Sequence, residues 1–134
     1  MPVKYSSTRG LEACLSFEQV VLGGLDTDKG LYNPKSIPKI SLEEIEALRE
    51  MSYSELAYVI ISKFVSPDDI PAEALEDIVH RSFSKFRHPD VTPTIKKNNY
   101  WVLELFHGPT FAFKDVALQF LGNTFEFFLK RGNI

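Results

Sequence analysis

The last third of the chain narrows most sharply what it can fold into. An apolar run, Tyr100–Leu105, reads as a strand; Gly108–Pro109 turns the chain; a long helix then runs from about Asp115 to Lys130. The polar residues of that helix, Asp115, Gln119, Asn123, Glu126 and Lys130, lie four, four, three and four positions apart. They form one narrow stripe on a cylinder that otherwise carries Phe120, Leu121, Phe125, Phe127, Phe128 and Leu129. A helix apolar around most of its circumference is expected inside a larger body. A strand followed by such a helix is the opening of a βαβ unit, whose next parallel strand is not found in the sequence. The expectation is therefore an α/β protein of which this is a truncated piece. Residues 1–90 are read as a mostly helical N-terminal subdomain, and 91–134 as the first strand–helix elements of a second domain.

The helical subdomain is read from its caps. Ser16 with Gln19, Ser41 with Glu44, and Ser52 with Glu55 each have the spacing of a capping box, in which serine and the residue three on satisfy each other's backbone N–H. The first helix stops at Gly23–Gly24 and the second runs to about Met51. The third carries Tyr53, Leu56, Ala57, Ile60, Ile61 and Phe64 as one apolar stripe. Pro71 is expected in the first turn of the next helix, whose stripe of Leu75, Ile78, Val79, Phe83 and Phe86 is stopped by Pro89. The two stripes are expected to pack on each other. Asp26–Pro34 is turn-rich, with Gly30 leading Leu31–Tyr32 into a short extended piece. Thr92–Lys96 and Tyr100–Leu105, joined by Lys97–Asn98–Asn99, read as a hairpin.

Composition excludes several classes of function. With 134 residues, 44% hydrophobic and 25% charged, the chain has the balance of a soluble, core-forming protein. A net charge of -3 offers no basic footprint for nucleic acid or an anionic membrane. The longest unbroken apolar run, Leu56–Ile61, falls far short of the roughly 18 residues a membrane span needs. Met1–Pro2 opens onto a polar segment with no apolar h-region, so no signal peptide is read. The single cysteine, Cys14, excludes an internal disulfide and reads as a small hydrophobe without a role. A cytoplasmic protein without a metal site is expected.

One residue asks for an explanation. Lys114 arrives at the start of the last helix, where exposed N–H groups and the positive end of the dipole meet an ammonium unfavourably, by about 0.3–1 kcal/mol. Desolvation would add to that. A neutral amine or an imine suits the place better. Asp115 reads as a first-turn carboxylate on the same dipole. His107 reads as a proton carrier or phosphate contact, or as a structural loop histidine. Thr110 either contacts a ligand or hydrogen-bonds the turn backbone. Arg9 is the local candidate for gripping a phosphate or carboxylate, since its planar fork suits both; an ordinary surface arginine is the alternative.

The run ELFHGPTFAFKDVALQFLGN, Glu104–Asn123, resembles the lysine motif of the threonine synthase family, fold-type-II pyridoxal-phosphate (PLP) enzymes. STRG at Ser7–Gly10, the DGGL(F/Y)xP-like segment at Asp28–Pro34, LAYVIISKF at Leu56–Phe64 and SFSKF at Ser82–Phe86 match in the same order. Lys29 departs from the pattern, standing where the family usually has glycine. The resemblance implies that residues 91–134 begin the PLP-binding catalytic domain and that Lys114 forms the Schiff base with the cofactor. It implies a substrate, O-phospho-L-homoserine, converted with water to L-threonine and phosphate, with Arg9, His107 and Thr110 as candidate substrate contacts. It also calls for a glycine-rich phosphate cradle, a partner for the pyridine nitrogen and an SGDTG-like segment, none of which is read before Ile134. The remainder of the protein's own chain is thus expected to complete the site, and the 134 residues alone to be inactive. A threonine-synthase-like phospho-lyase, acting on phosphohomoserine or phosphothreonine, is the nearest alternative. A non-catalytic helical interaction module is the alternative from another class.

Overall fold

The computed structural model describes residues 3–10 and 14–133; Met1, Pro2, residues 11–13 and Ile134 lie outside that description. Strand β1 (Tyr5–Ser7) pairs antiparallel with β2 (Tyr32–Pro34), Tyr5 opposite Pro34 and Ser7 opposite Tyr32. Between them lies helix α1 (Phe17–Gly23). Then follow α2 (Leu42–Ala47), α3 (Tyr53–Ser62), α4 (Ala72–Phe83), the hairpin β3 (Thr94–Lys97) and β4 (Tyr100–Leu103), and α5 (Asp115–Arg131).

All three expected capping boxes form, each with both reciprocal hydrogen bonds. Losing such a cap costs about 0.5–2 kcal/mol. Helix α2 is shorter than expected and ends at Ala47; Ser52, extended (φ -62, ψ 160) to cap α3, sets the limit by which the chain must have left it. The chain then reaches Ser52 through tight turns, Leu48 N–H to Ile45 O and Arg49 N–H to Glu46 O, both at 3.2 Å. Pro71 caps α4 from outside instead of sitting in its first turn, and α4 ends at Phe83, well before Pro89.

The buried core is Val65, Ile70, Leu75, Ile78, Val79, Phe83, Val91 and Phe128. It draws on both sides of position 90, because Phe128 of α5 belongs to it. Fully burying a side chain of that size contributes about 1.5–3 kcal/mol. The stripe of α3 packs on α4 only in part. None of its residues is fully buried, and Tyr53, Leu56, Ala57, Ile60 and Ile61 line an open apolar groove with Phe83 and Val116.

Helix α5 reverses part of the expectation. Its polar stripe faces α4: Asn123 Nδ2 donates to Ser82 Oγ at 3.1 Å, and Arg81 Nη1 donates to Asn123 Oδ1 and Glu126 Oε2, each at 3.1 Å. Leu118, Leu121 and Phe125 are exposed, so this part of the apolar surface is not core among the described residues. Ser82 and Thr124, both fully buried and small, let the two helices approach closely. The hairpin also differs. All eight residues of β3 and β4 are exposed, and β4 has only its antiparallel partner β3 among the described residues. The connection narrows to Asn98–Asn99, with Asn98 left-handed at φ 55, as a two-residue hairpin loop requires. Cys14 is exposed, with Lys35 Nζ 3.3 Å from its sulfur, and does not behave as a buried hydrophobe.

Candidate active site

Past β4, Glu104 N–H donates to Pro93 O at 2.9 Å, tying the departing chain to the hairpin. The Glu104 carboxylate lies 2.7 Å from His107 Nε2, both side chains half-buried. The His107 ring also neighbours His88 and Phe106, with centroids 5.0 and 4.6 Å away. From here the chain turns tightly. Phe111 N–H donates to Gly108 O at 3.1 Å, and Phe111 itself is left-handed at φ 63, a strained conformation for a bulky residue.

Asp115 holds the inside of this turn. It is 2% exposed, and its Oδ2 accepts from the Thr110 amide and hydroxyl, both at 2.8 Å. Its Oδ1 accepts from Gln119 Nε2 at 3.2 Å. Burial opposes the charge on Asp115. The Thr110 and Gln119 donors and the nearby Arg87 cation outweigh it and hold the carboxyl below its ordinary range. Gly108 packs against the same carboxylate, and a Cβ there would lie 2.5 Å from Oδ2. Asp115 is thus the structural first-turn carboxylate the sequence suggests, with the added task of closing the loop.

Arg87, which sequence reasoning passes over, holds the outside. Its amide donates to His107 O at 2.9 Å, its Nη2 to Pro109 O at 3.1 Å, and its Nη1 to Gly108 O. Its guanidinium also lies 3.9 Å over the Phe111 ring.

Lys114 follows directly. It sits at the N-cap position of α5 in helical conformation (φ -59, ψ -26), its carbonyl accepting from Ala117 and Leu118. Its side chain is exposed, so the desolvation expected from the sequence is not supplied by the described residues. The amine has no hydrogen bond or ion pair among them. Beside it lies an open, apolar depression of about 370 Å³ formed with Leu105, Phe113, Val116, Ala117 and Leu118. A larger recess between α3 and α4, about 440 Å³ and lined by Tyr58, Glu76 and His80 among others, does not include the lysine.

His107, Thr110 and Lys114 therefore share one loop, with His107 Nε2 and the Thr110 hydroxyl both engaged within it. Arg9 belongs to another part of the fold. Its Nη1 donates to Asp28 O at 3.3 Å and its amide to Ser7 Oγ at 3.1 Å. Ser7 in turn donates to the Asp28 carboxylate at 2.8 Å. Among the described residues no hydrogen bond or ion pair joins Arg9 to the lysine loop. The glycine signal at Gly30 is explained here, since a Cβ would meet Ser7 Oγ and lie 2.9 Å from Asp28 Oδ1.

Known proteins resemble this chain in sequence and in fold. The threonine synthase of Schizosaccharomyces pombe is 53% identical over 98% of this chain and 26% of its own length. Threonine synthase-like 2 of Xenopus laevis is 40% identical over 98% of this chain and 28% of its own length. The PLP-bound threonine synthase of Brucella melitensis superposes with a TM-score of 0.91 at 42% identity, covering 98% of this chain and 28% of that one. The chain thus spans about a quarter of the length of the curated relatives it matches. The family model described as threonine synthase N terminus matches residues 4–83, more than half of the sequence, and the chain belongs to that family.

Proposed function

We propose that this chain is the lysine-bearing N-terminal part of a PLP-dependent threonine synthase. In this reading the parent protein converts O-phospho-L-homoserine and water to L-threonine and phosphate. The observation that carries the proposal is Lys114: an amine without a partner among the described residues, at the N-terminus of a 17-residue helix, beside an apolar depression. A primary amine is the group that binds an aldehyde covalently, and the apolar wall suits the face of a planar ring, so the residues present fit the cofactor. When bound, PLP supplies an electron sink for carbanion chemistry at the substrate. Lys114 would hold it and, once released, its Nζ would carry protons among the α, β and γ carbons of the substrate.

Arg9, His107 and Thr110 are proposed as substrate contacts. Each would exchange a present partner, Asp28 O, Glu104 or Asp115, for a phosphate or carboxylate oxygen. Residues 1–90 are proposed as the N-terminal subdomain and 91–134 as the beginning of the cofactor domain. The further length of the relatives is where we place the cofactor-phosphate cradle and the pyridine-nitrogen partner. A cytoplasmic location belongs to the same proposal; no helix of the described residues is long and apolar enough to cross a membrane.

Borohydride reduction of the full-length protein with PLP, followed by peptide mapping, tests it. A pyridoxyl label on Lys114, absent in Lys114→Ala, is expected. Failure to label Lys114 removes the proposal. The similarity to threonine synthase-like 2 keeps a phospho-lyase in view. Incubation with phosphohomoserine separates the two, since threonine identifies the synthase and 2-oxobutyrate the lyase.

A further inference from the structure

We infer that Arg87 is a positioning residue for Lys114. The inference rests on the reading of Lys114 as the cofactor lysine and adds a residue that reaches the amine only through the loop. Four links tie Arg87 to Glu104–Asp115. Its amide binds His107 O, its two terminal nitrogens bind Gly108 O and Pro109 O, and its guanidinium carbon lies 3.9 Å over the Phe111 ring. A planar fork holds two successive carbonyls in one fixed geometry and offers a flat face to a ring; an ammonium can donate to both carbonyls but supplies neither the fork nor the face.

These links divide the work with Asp115. The carboxylate takes the donors of the turn, the Thr110 amide and hydroxyl, from within. The guanidinium takes the acceptors of the preceding residues from outside. Between the two, Phe111 is kept at φ 63, a strained conformation for a bulky residue that persists only where its surroundings enforce it. Releasing Arg87 lets Phe111 return to an ordinary conformation. Because Phe111 lies three residues before Lys114, that relaxation turns the start of α5 and swings the amine relative to the depression of Leu105 and Val116. Arg87 itself lies on the segment after α4, the helix that carries half of the buried core residues, so the lysine loop is referenced to the best-packed part of the fold.

The test uses the full-length protein carrying Arg87→Lys and Arg87→Ala. Hydrogen exchange of the cofactor-free protein is expected to rise for peptides covering residues 107–114 and to stay unchanged in α4 and the second half of α5. The limiting rate of borohydride-trapped labelling of Lys114 at saturating PLP is expected to fall roughly tenfold to a hundredfold, the scale of a misplacement of about 1 Å, with little change in the half-saturating PLP concentration. Arg87→Lys should fall between wild type and Arg87→Ala. It carries the test alone if the alanine variant does not fold. Wild-type exchange in the loop, or wild-type labelling rates in both variants, overturns the inference. If the wild-type protein does not label at Lys114, the cofactor reading fails separately, and the exchange data alone decide whether Arg87 holds the loop.

Discussion

Replacing Lys29 with glycine should stabilise the protein. Lys29 is left-handed at φ 64, a conformation that costs an L-residue with a Cβ about 1–2 kcal/mol. The turn enforces it, with Lys29 N–H donating to Asp26 O at 2.9 Å and Asp26 N–H to Gly30 O at 3.0 Å. The side chain is exposed and makes no hydrogen bond or ion pair among the described residues, so little is lost with it. Glycine removes the strain but adds unfolded-state freedom worth about 0.4–1 kcal/mol. The balance is a gain of roughly 1 kcal/mol. In urea, with a slope of about 1–3 kcal/mol/M, the midpoint should rise by roughly 0.3–1 M at constant slope. Lys29→Ala is the control, since it removes the charge and keeps the Cβ; its midpoint should stay near wild type. A glycine variant no more stable than the alanine variant would refute the reasoning, and with it the claim that the departure from the family pattern is a backbone cost.

Other outcomes follow from the lysine loop. Gly108→Ala drives a Cβ into the Asp115 carboxylate, and should destabilise by about 1–3 kcal/mol in urea unfolding and lower pyridoxyl labelling of Lys114. Asp115 is held below the ordinary carboxylate pKa of about 3.9, so its contribution is complete above that pH and lost as pH falls through the folded value. Asp115→Asn should therefore be less stable at neutral pH and show a shallower acid limb below about pH 4, read by fluorescence from Trp101. Tyr5 is the alkaline counterpart. Burial, with Asp69 adding to it, raises its pKa to about 12, so its contribution is complete below about pH 10 and lost as pH climbs toward that value. Tyr5→Phe should flatten the alkaline limb of the stability curve.

Local chemistry was the readable part of this fold. A capping box is closed within four residues and needs no tertiary partner, which is why Ser16, Ser41 and Ser52 locate their helices from spacing alone. Lys114 at the head of α5 is legible for the same reason: a turn, a charge and a helix in sequence. The orientation of α5 is not. Polar stripes ordinarily face water, but here Asn123 and Glu126 meet Arg81 and Ser82, 41 to 45 positions away, because small buried side chains allow α4 close enough for hydrogen bonds. Arg87 escapes notice on the same ground. Its partners lie 21 and 22 positions further on, and a lone arginine between Phe86 and His88 carries no periodic or motif signal.

The neighbouring charges of Lys114 and Asp115 show why this loop leaves an amine without a partner among the described residues. Adjacent residues at a helix start do not face each other, so the pair cannot neutralise itself across one peptide bond. The structure puts them in opposite environments, Asp115 2% exposed under the turn and Lys114 exposed on top of it. Every acceptor of Asp115 described here is already directed elsewhere, Oδ2 to Thr110 and Oδ1 to Gln119. The carboxylate also answers the positive end of the α5 dipole from the first turn, a place where negative charge is worth about 0.3–1 kcal/mol. The lysine consequently has no structural task that would hold its nitrogen back. Converting Thr110 to valine removes the hydroxyl donor and leaves one lobe of the Asp115 carboxylate short of a partner. If the loop works as argued, that change should loosen the turn without giving Lys114 a new ion pair.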